Sequence, residues 1–131
     1  MPDSQELHRL LAALRPELHP EPYVYALGPA PAGTLAFATV AEDEGLTLVL
    51  TRDEAEAAGL RAEWLAARIT LRVNSQLTDV GLTATVSSRL ASHGIPCNVI
   101  AGFAHDHLMV PWDRAAEALA LLQQLAREAA A

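Results

Sequence analysis

The segment with the most chemical promise is Asn74-Ser75-Gln76-Leu77-Thr78-Asp79-Val80-Gly81-Leu82. It leaves a strand-like pattern and enters a helical one through polar side chains. A helix start carries N–H groups without intrahelical partners and the positive end of the helix dipole, which together suit a carboxylate. Gly81 has no Cβ, so a ligand or a neighbouring backbone can come close. Asp79 has two readings. As a helix cap, like Thr78, it would compete with an anion for the same donors. Paired instead with a ligand ammonium, it would make the segment suit a zwitterion.

Other groups are weaker. His105-Asp106-His107 places two imidazoles two residues apart, the spacing by which a strand presents zinc ligands on one face. A third ligand would have to be His93, Cys97 or a carboxylate, and the spacing supplies none. The three residues are read as a polar hairpin tip with Asp106 holding turn amides. A catalytic reading lacks a nucleophile and an oxyanion device nearby. Cys97 follows Pro96 in phase with Val99, Ala101 and Phe103, the setting of a small buried hydrophobe. Gly28 and Gly33 have P-loop spacing, but no lysine follows, Pro29 and Pro31 remove donors, and a strand comes next. No catalytic residue, metal site or cofactor is assigned.

All nine basic residues are arginine, which excludes a Schiff-base lysine. Sixteen acidic residues leave a formal charge of -7 over 131 residues, a poor platform for nucleic acid. Hydrophobic residues at 51% against 19% charged predict a globular core. No apolar run approaches the roughly 18 residues of a bilayer span, and Met1-Pro2-Asp3-Ser4-Gln5-Glu6 is acidic, unlike a secretory signal. A single cysteine agrees with a reducing cytoplasm. The expectation is a cytoplasmic protein with neither nucleic-acid nor membrane partners.

The elements that must position these groups follow from periodicity. Leu7, Leu10, Leu11 and Leu14 form one helical stripe, opened by the capping-box spacing of Asp3 and Glu6 and stopped by Pro16. His19-Pro20-Glu21-Pro22 is an extended connector. Strands are predicted over 23–27, 34–40 and 46–50, with an acidic turn at Glu42-Asp43-Glu44-Gly45. Thr51 and Glu54 have capping-box spacing before a short helix ending at Gly59. Ile69, Leu71 and Val73 alternate with Arg68, Thr70 and Arg72, a strand with one solvated face. A helix over 81–93 ends at Gly94, and strands over 97–103 and 107–110 follow. Asp113 is the expected cap of a final helix with the stripe Ala115, Leu119, Leu122 and Ala126 and a frayed end at 129–131. His8 and His19 are read as solvated, and Trp64 and Trp112 as covers of core edges.

The second half thus runs strand, helix, strand, strand, helix. Those are five of the six elements of a split β-α-β, ferredoxin-like unit. The sixth strand must come from the other half or from a partner chain.

Residues 69–110 resemble the ACT domain of the aspartokinase type, above all Asp79-Val80-Gly81-Leu82-Thr83-Ala84-Thr85-Val86, Leu90 and His93-Gly94-Ile95-Pro96-Cys97-Asn98-Val99-Ile100. The likeness extends through Phe103-Ala104-His105-Asp106-His107-Leu108-Met109-Val110-Pro111 to small bacterial two-ACT proteins, relatives of the regulatory half of aspartokinase and of cytosolic arginine sensors. It implies an α+β fold of tandem ACT-like βαββαβ units, with antiparallel sheets and helices on one face. The division implied is a degenerate N-terminal unit over 1–64 and an ACT domain over 65–131. It also implies a non-catalytic regulator, a homodimer, that binds a small amino acid or related metabolite at a domain or subunit interface. The alternative is an assembly module acting through a regulated protein partner. By position the ligand residues are Asn74, Ser75, Gln76, Leu77, Thr78, Asp79, Val80, Gly81 and Leu82, with Asn98, Val99 and Ile100 on the following strand. Val80 stands where the family often has proline.

Overall fold

Pro16 ends the first helix and at once begins a strand. In the computed structural model, which describes residues 4–131, α1 spans Ser4–Ala12 and β1 Pro16–Leu18; Asp3 of the expected capping box lies outside the described residues. Then come β2 (Tyr23–Leu27), β3 (Ala38–Glu42), β4 (Gly45–Thr51), α2 (Arg52–Ala57) and β5 (Leu65–Leu71). The chain continues through α3 (Leu82–Ala91), β6 (Asn98–Ala101), β7 (Asp106–Pro111), a 3-10 turn over Trp112–Arg114 and α4 (Ala115–Ala130).

All strand pairs are antiparallel, in one sheet of order β3-β4-β2-β5-β7-β6, with β1 also on β5. The two ends of β5 have different neighbours on one edge: Ala66 faces Tyr23 of β2, and Leu71 faces Pro16 of β1. Arg15, at φ 44, turns the chain between α1 and β1, and its carbonyl accepts from the Arg72 N–H at 3.2 Å. The missing sixth strand of the second half is therefore β1, supplied by the same chain. That position is closed to a partner's strand, which removes the sequence argument for strand addition there.

The helices share one face. Val24, Ala26, Leu48 and Leu50 pack with Ala55 of α2, while Ala67, Ile69, Leu71, Leu108 and Val110 lie in the cluster formed with α1, α3 and α4. Leu14, Leu90 and Leu122 are fully buried there, each contributing about 1.5–3 kcal/mol by its removal from water. Thr51 and Glu54 form the expected reciprocal capping box at α2.

Several expectations need correction. The strand predicted over 34–40 starts at Ala38, because 28–37 is a loop in the place of a first helix. Asp113 does not cap α4: the 3-10 turn satisfies the helix start through its backbone, with the Ala115 N–H donating to Trp112 O. The buried face of α4 is Ala115, Ala118, Leu121, Leu122 and Leu125, broader than the predicted stripe, since α4 packs on α1 as well as on α3 and the sheet. The helix runs to Ala130, and near its end Arg89 of α3 donates twice to the Glu128 carboxylate, at 3.2 and 2.7 Å.

The largest departure is the helix-free face of β5. Thr70 is completely buried and Arg68 half-buried, where solvent was expected. Phe37 reaches over them from the 28–37 loop, 3.7 Å from the Arg68 guanidinium carbon and 4.9 Å from the His107 ring. Thr70 Oγ1 lies 2.9 Å from His19 Nε2 and 2.8 Å from His107 Nδ1, so His19 is half-buried and tied to a buried threonine rather than freely solvated. Arg68 donates to the Tyr23 hydroxyl at 2.9 Å.

Candidate ligand-binding site

Val73 and Leu82 are both buried in the main core, and the stretch between them is pinned at its ends while its polar middle stays at the surface. Within that loop the Gln76 N–H donates to Asp79 Oδ2 at 2.6 Å, and the Asp79 N–H donates to Gln76 O at 3.0 Å. Asp79 therefore closes its own turn and does not cap α3. Thr78 does not cap it either: the N-cap is Gly81, with no side-chain cap. The donors at the helix start are left without the capping oxygen that the bland reading required.

Gly81 adopts φ 99, a region that favours glycine. A Cβ there would meet Leu7 Cδ2 at 3.2 Å, so the close approach at Gly81 is made by the α1 side chain. On that flank the space foreseen for a ligand is taken.

The open side faces the tip between β6 and β7. The Gly102 N–H donates to His105 O at 2.9 Å, and a Cβ on Gly102 would lie 2.9 Å from that oxygen and 3.3 Å from His107 Nε2. Only glycine allows so tight a tip. Between loop and tip lies a cavity of about 110 Å³, bordered by Ser75, Gln76, Leu77, Asp79, Leu82 and Thr83 on one side and by Ala101–Asp106 on the other. It adjoins a wider cleft of about 630 Å³ between 74–78 and 103–105. His105 borders both, and its Nδ1 is buried without a hydrogen-bond partner. Burial raises the Asp106 carboxyl above its usual range, opposed by the nearby His105.

Of the sequence-predicted residues, Ser75, Gln76, Leu77, Asp79 and Leu82 border the cavity, and Asn74 and Thr78 border the cleft. Val80 points outward and is 60% exposed. Asn98, Val99 and Ile100 are not brought to it: Asn98 is exposed, Val99 packs on the main core and Ile100 joins the helix-free face. The tip residues Gly102, Phe103, Ala104 and His105, which border the cavity, are absent from the sequence-predicted set. The signal that could have found them was an aromatic residue directly after a glycine at a turn.

The two histidines of His105-Asp106-His107 have parted. His107 is engaged by Thr70, and burial with the Arg68 charge holds its pKa down to about 4. Among the described residues no three His, Cys, Asp or Glu side chains are grouped to hold a metal ion. Cys97 packs on the main core, and burial pushes its thiol up to about 11, the behaviour of a small hydrophobe. No described helix is long and apolar enough to cross a membrane.

Models of the ACT domain match residues 3–67 and 67–124, meeting inside β5. This chain belongs to the ACT-domain family. Its fold is similar to that of a Vibrio cholerae protein of unknown function, described as a possible transport protein: 41% identity, TM-score 0.84, covering 94% of this chain and 98% of that one. A protein from Agrobacterium tumefaciens aligns with TM-score 0.71 at 19% identity, over 85% of this chain and 87% of that one. The regulatory subunit of aspartate kinase from Thermus thermophilus aligns with TM-score 0.67 at 14% identity, over 86% and 97%. A search of curated proteins returns no match. The two ACT-domain matches support a regulatory, ligand-binding role in general terms.

Proposed function

We propose that this ACT protein is a non-catalytic cytoplasmic sensor that binds a small amino acid or related metabolite between the 74–81 loop and the β6–β7 tip. Its units are the degenerate one over 1–64, which lends β1 to its neighbour, and the ACT domain over 65–131. The observation that carries the reading is the uncapped start of α3 beside a cavity. Leu82 and Thr83 bring that start to the cavity wall, where its positive field favours a carboxylate. Asp79 and Asp106 border the same cavity and supply negative charge for an ammonium group. β6 ends the sheet, and its open edge is where we place a second copy of the chain, completing the site at a subunit interface. Binding signals to a regulated partner only if the ligand prefers one arrangement of the units.

Thermal-shift measurement with each of the twenty amino acids tests the reading. A ligand at about 100 times its dissociation constant adds about 2.7 kcal/mol to stability. Silence from all twenty would leave a ligand-free assembly module, whose contact surface is the β6 edge.

A further inference from the structure

The two hollows beside His105 differ in character. The smaller alone is bordered by Asp79, Asp106 and the α3 start, so the charged groups lie there. Leu77 and Phe103 border both hollows and supply most of the apolar surface of the wider cleft. These side chains are 68% and 92% exposed, on a loop and a turn where water would ordinarily select polar residues. Neither is needed by the folded core: both are absent from its clusters. Their apolar surface faces a space of about 630 Å³, ample for one side chain. At the junction stands His105, which borders both hollows.

We infer that the ligand is an α-amino acid with an apolar side chain, its charged head in the smaller cavity beside the α3 start and its side chain laid across Leu77 and Phe103. The inference rests on the amino-acid reading above and adds the class of side chain. Removing apolar surface on both partners from water supplies the preference. A charged side chain in the same place would lose hydration with no carboxylate or guanidinium in the cleft to replace it. Arginines do lie close by, since Arg15 and Arg72 share a third hollow with His105. Acidic amino acids are therefore the sharpest competitors.

The test uses the full chain. Leucine, isoleucine, methionine and phenylalanine are compared at matched concentration with aspartate, glutamate, lysine and arginine, by thermal shift and titration calorimetry. The apolar set is expected to raise Tm and to bind with a negative heat-capacity change, the mark of buried apolar surface. Phe103→Ser should weaken that binding about tenfold, equivalent to about 1.4 kcal/mol, and Phe103→Leu should restore most of it. Because Phe103 stands clear of the core, the melting temperature of each variant without ligand should match the parent. A larger response to charged amino acids overturns the inference and leaves the sensor reading standing, with Arg15→Gln showing whether the third hollow is responsible. Equal affinity of Phe103→Ser and parent for the apolar set also overturns it. No response to any amino acid removes the sensor reading itself.

Discussion

Along β5 and just beyond it, two polar regions treat their hydrogen-bonding groups in opposite ways. On the helix-free face, Thr70 serves His19 and His107 at once, Arg68 serves Tyr23 through Nη1 while its Nε is buried without a partner, and Phe37 covers the group. In the 74–81 loop the start of α3 has no side-chain cap and lies beside a cavity. Polar groups linked to one another under a covering ring hold a structure together, whereas an uncapped helix start beside a hollow is open to a ligand. The first region is read as architecture and the second as a site.

Substitutions in the two regions should separate accordingly. Thr70→Val keeps the shape but strips both imidazoles of their partner, and should cost about 2–3 kcal/mol, read as a fall in urea midpoint at unchanged slope. Gly81→Ala should cost about 2 kcal/mol, because a side chain is strained at positive φ and its Cβ presses on Leu7. Adding Leu7→Ala to it should relieve the contact without relieving the backbone, so recovery would be partial.

Acidification probes the helix-free face without mutation. His107 in the fold has a pKa of about 4, below its ordinary 6.5, and burial also lowers that of His19. The unfolded chain therefore takes up protons first. The stability these residues contribute is full above pH 6.5 and is lost as the pH falls from 6.5 toward 4. Urea midpoints across that interval should decline in the parent and flatten in His107→Gln; equal slopes would break the contrast. Thr51→Ala should cost about 1 kcal/mol through the capping box. Smallest of all, Ser75→Ala in the loop should stay within about 0.5 kcal/mol while altering ligand response.

Where an element depends on neighbours in sequence, it was legible. β2 occupies the residues predicted for it, the Thr51–Glu54 box forms, and Gly94 follows α3 as its αL residue. The 74–81 loop was identified as polar ground before a glycine-led helix. Its cavity was not, because the opposite wall comes from the β6–β7 tip, brought there by pairing β7 with β5. β1 was invisible for the same reason: three residues make a strand only against Leu71, Thr70 and Ile69. His19 was misread because Thr70, its partner, lies 51 residues away in the chain.

The sequence by itself determined the family, the alternation of elements, the caps and turns, and the loop where chemistry could occur. These rest on side-chain periodicity and on hydrogen bonds that close within a few residues. Only the tertiary structure decided which strand completes the second unit, which face of β5 is dry, and which residues stand opposite the loop. Those outcomes depend on contacts between segments far apart in the chain, and local propensity carries no record of them.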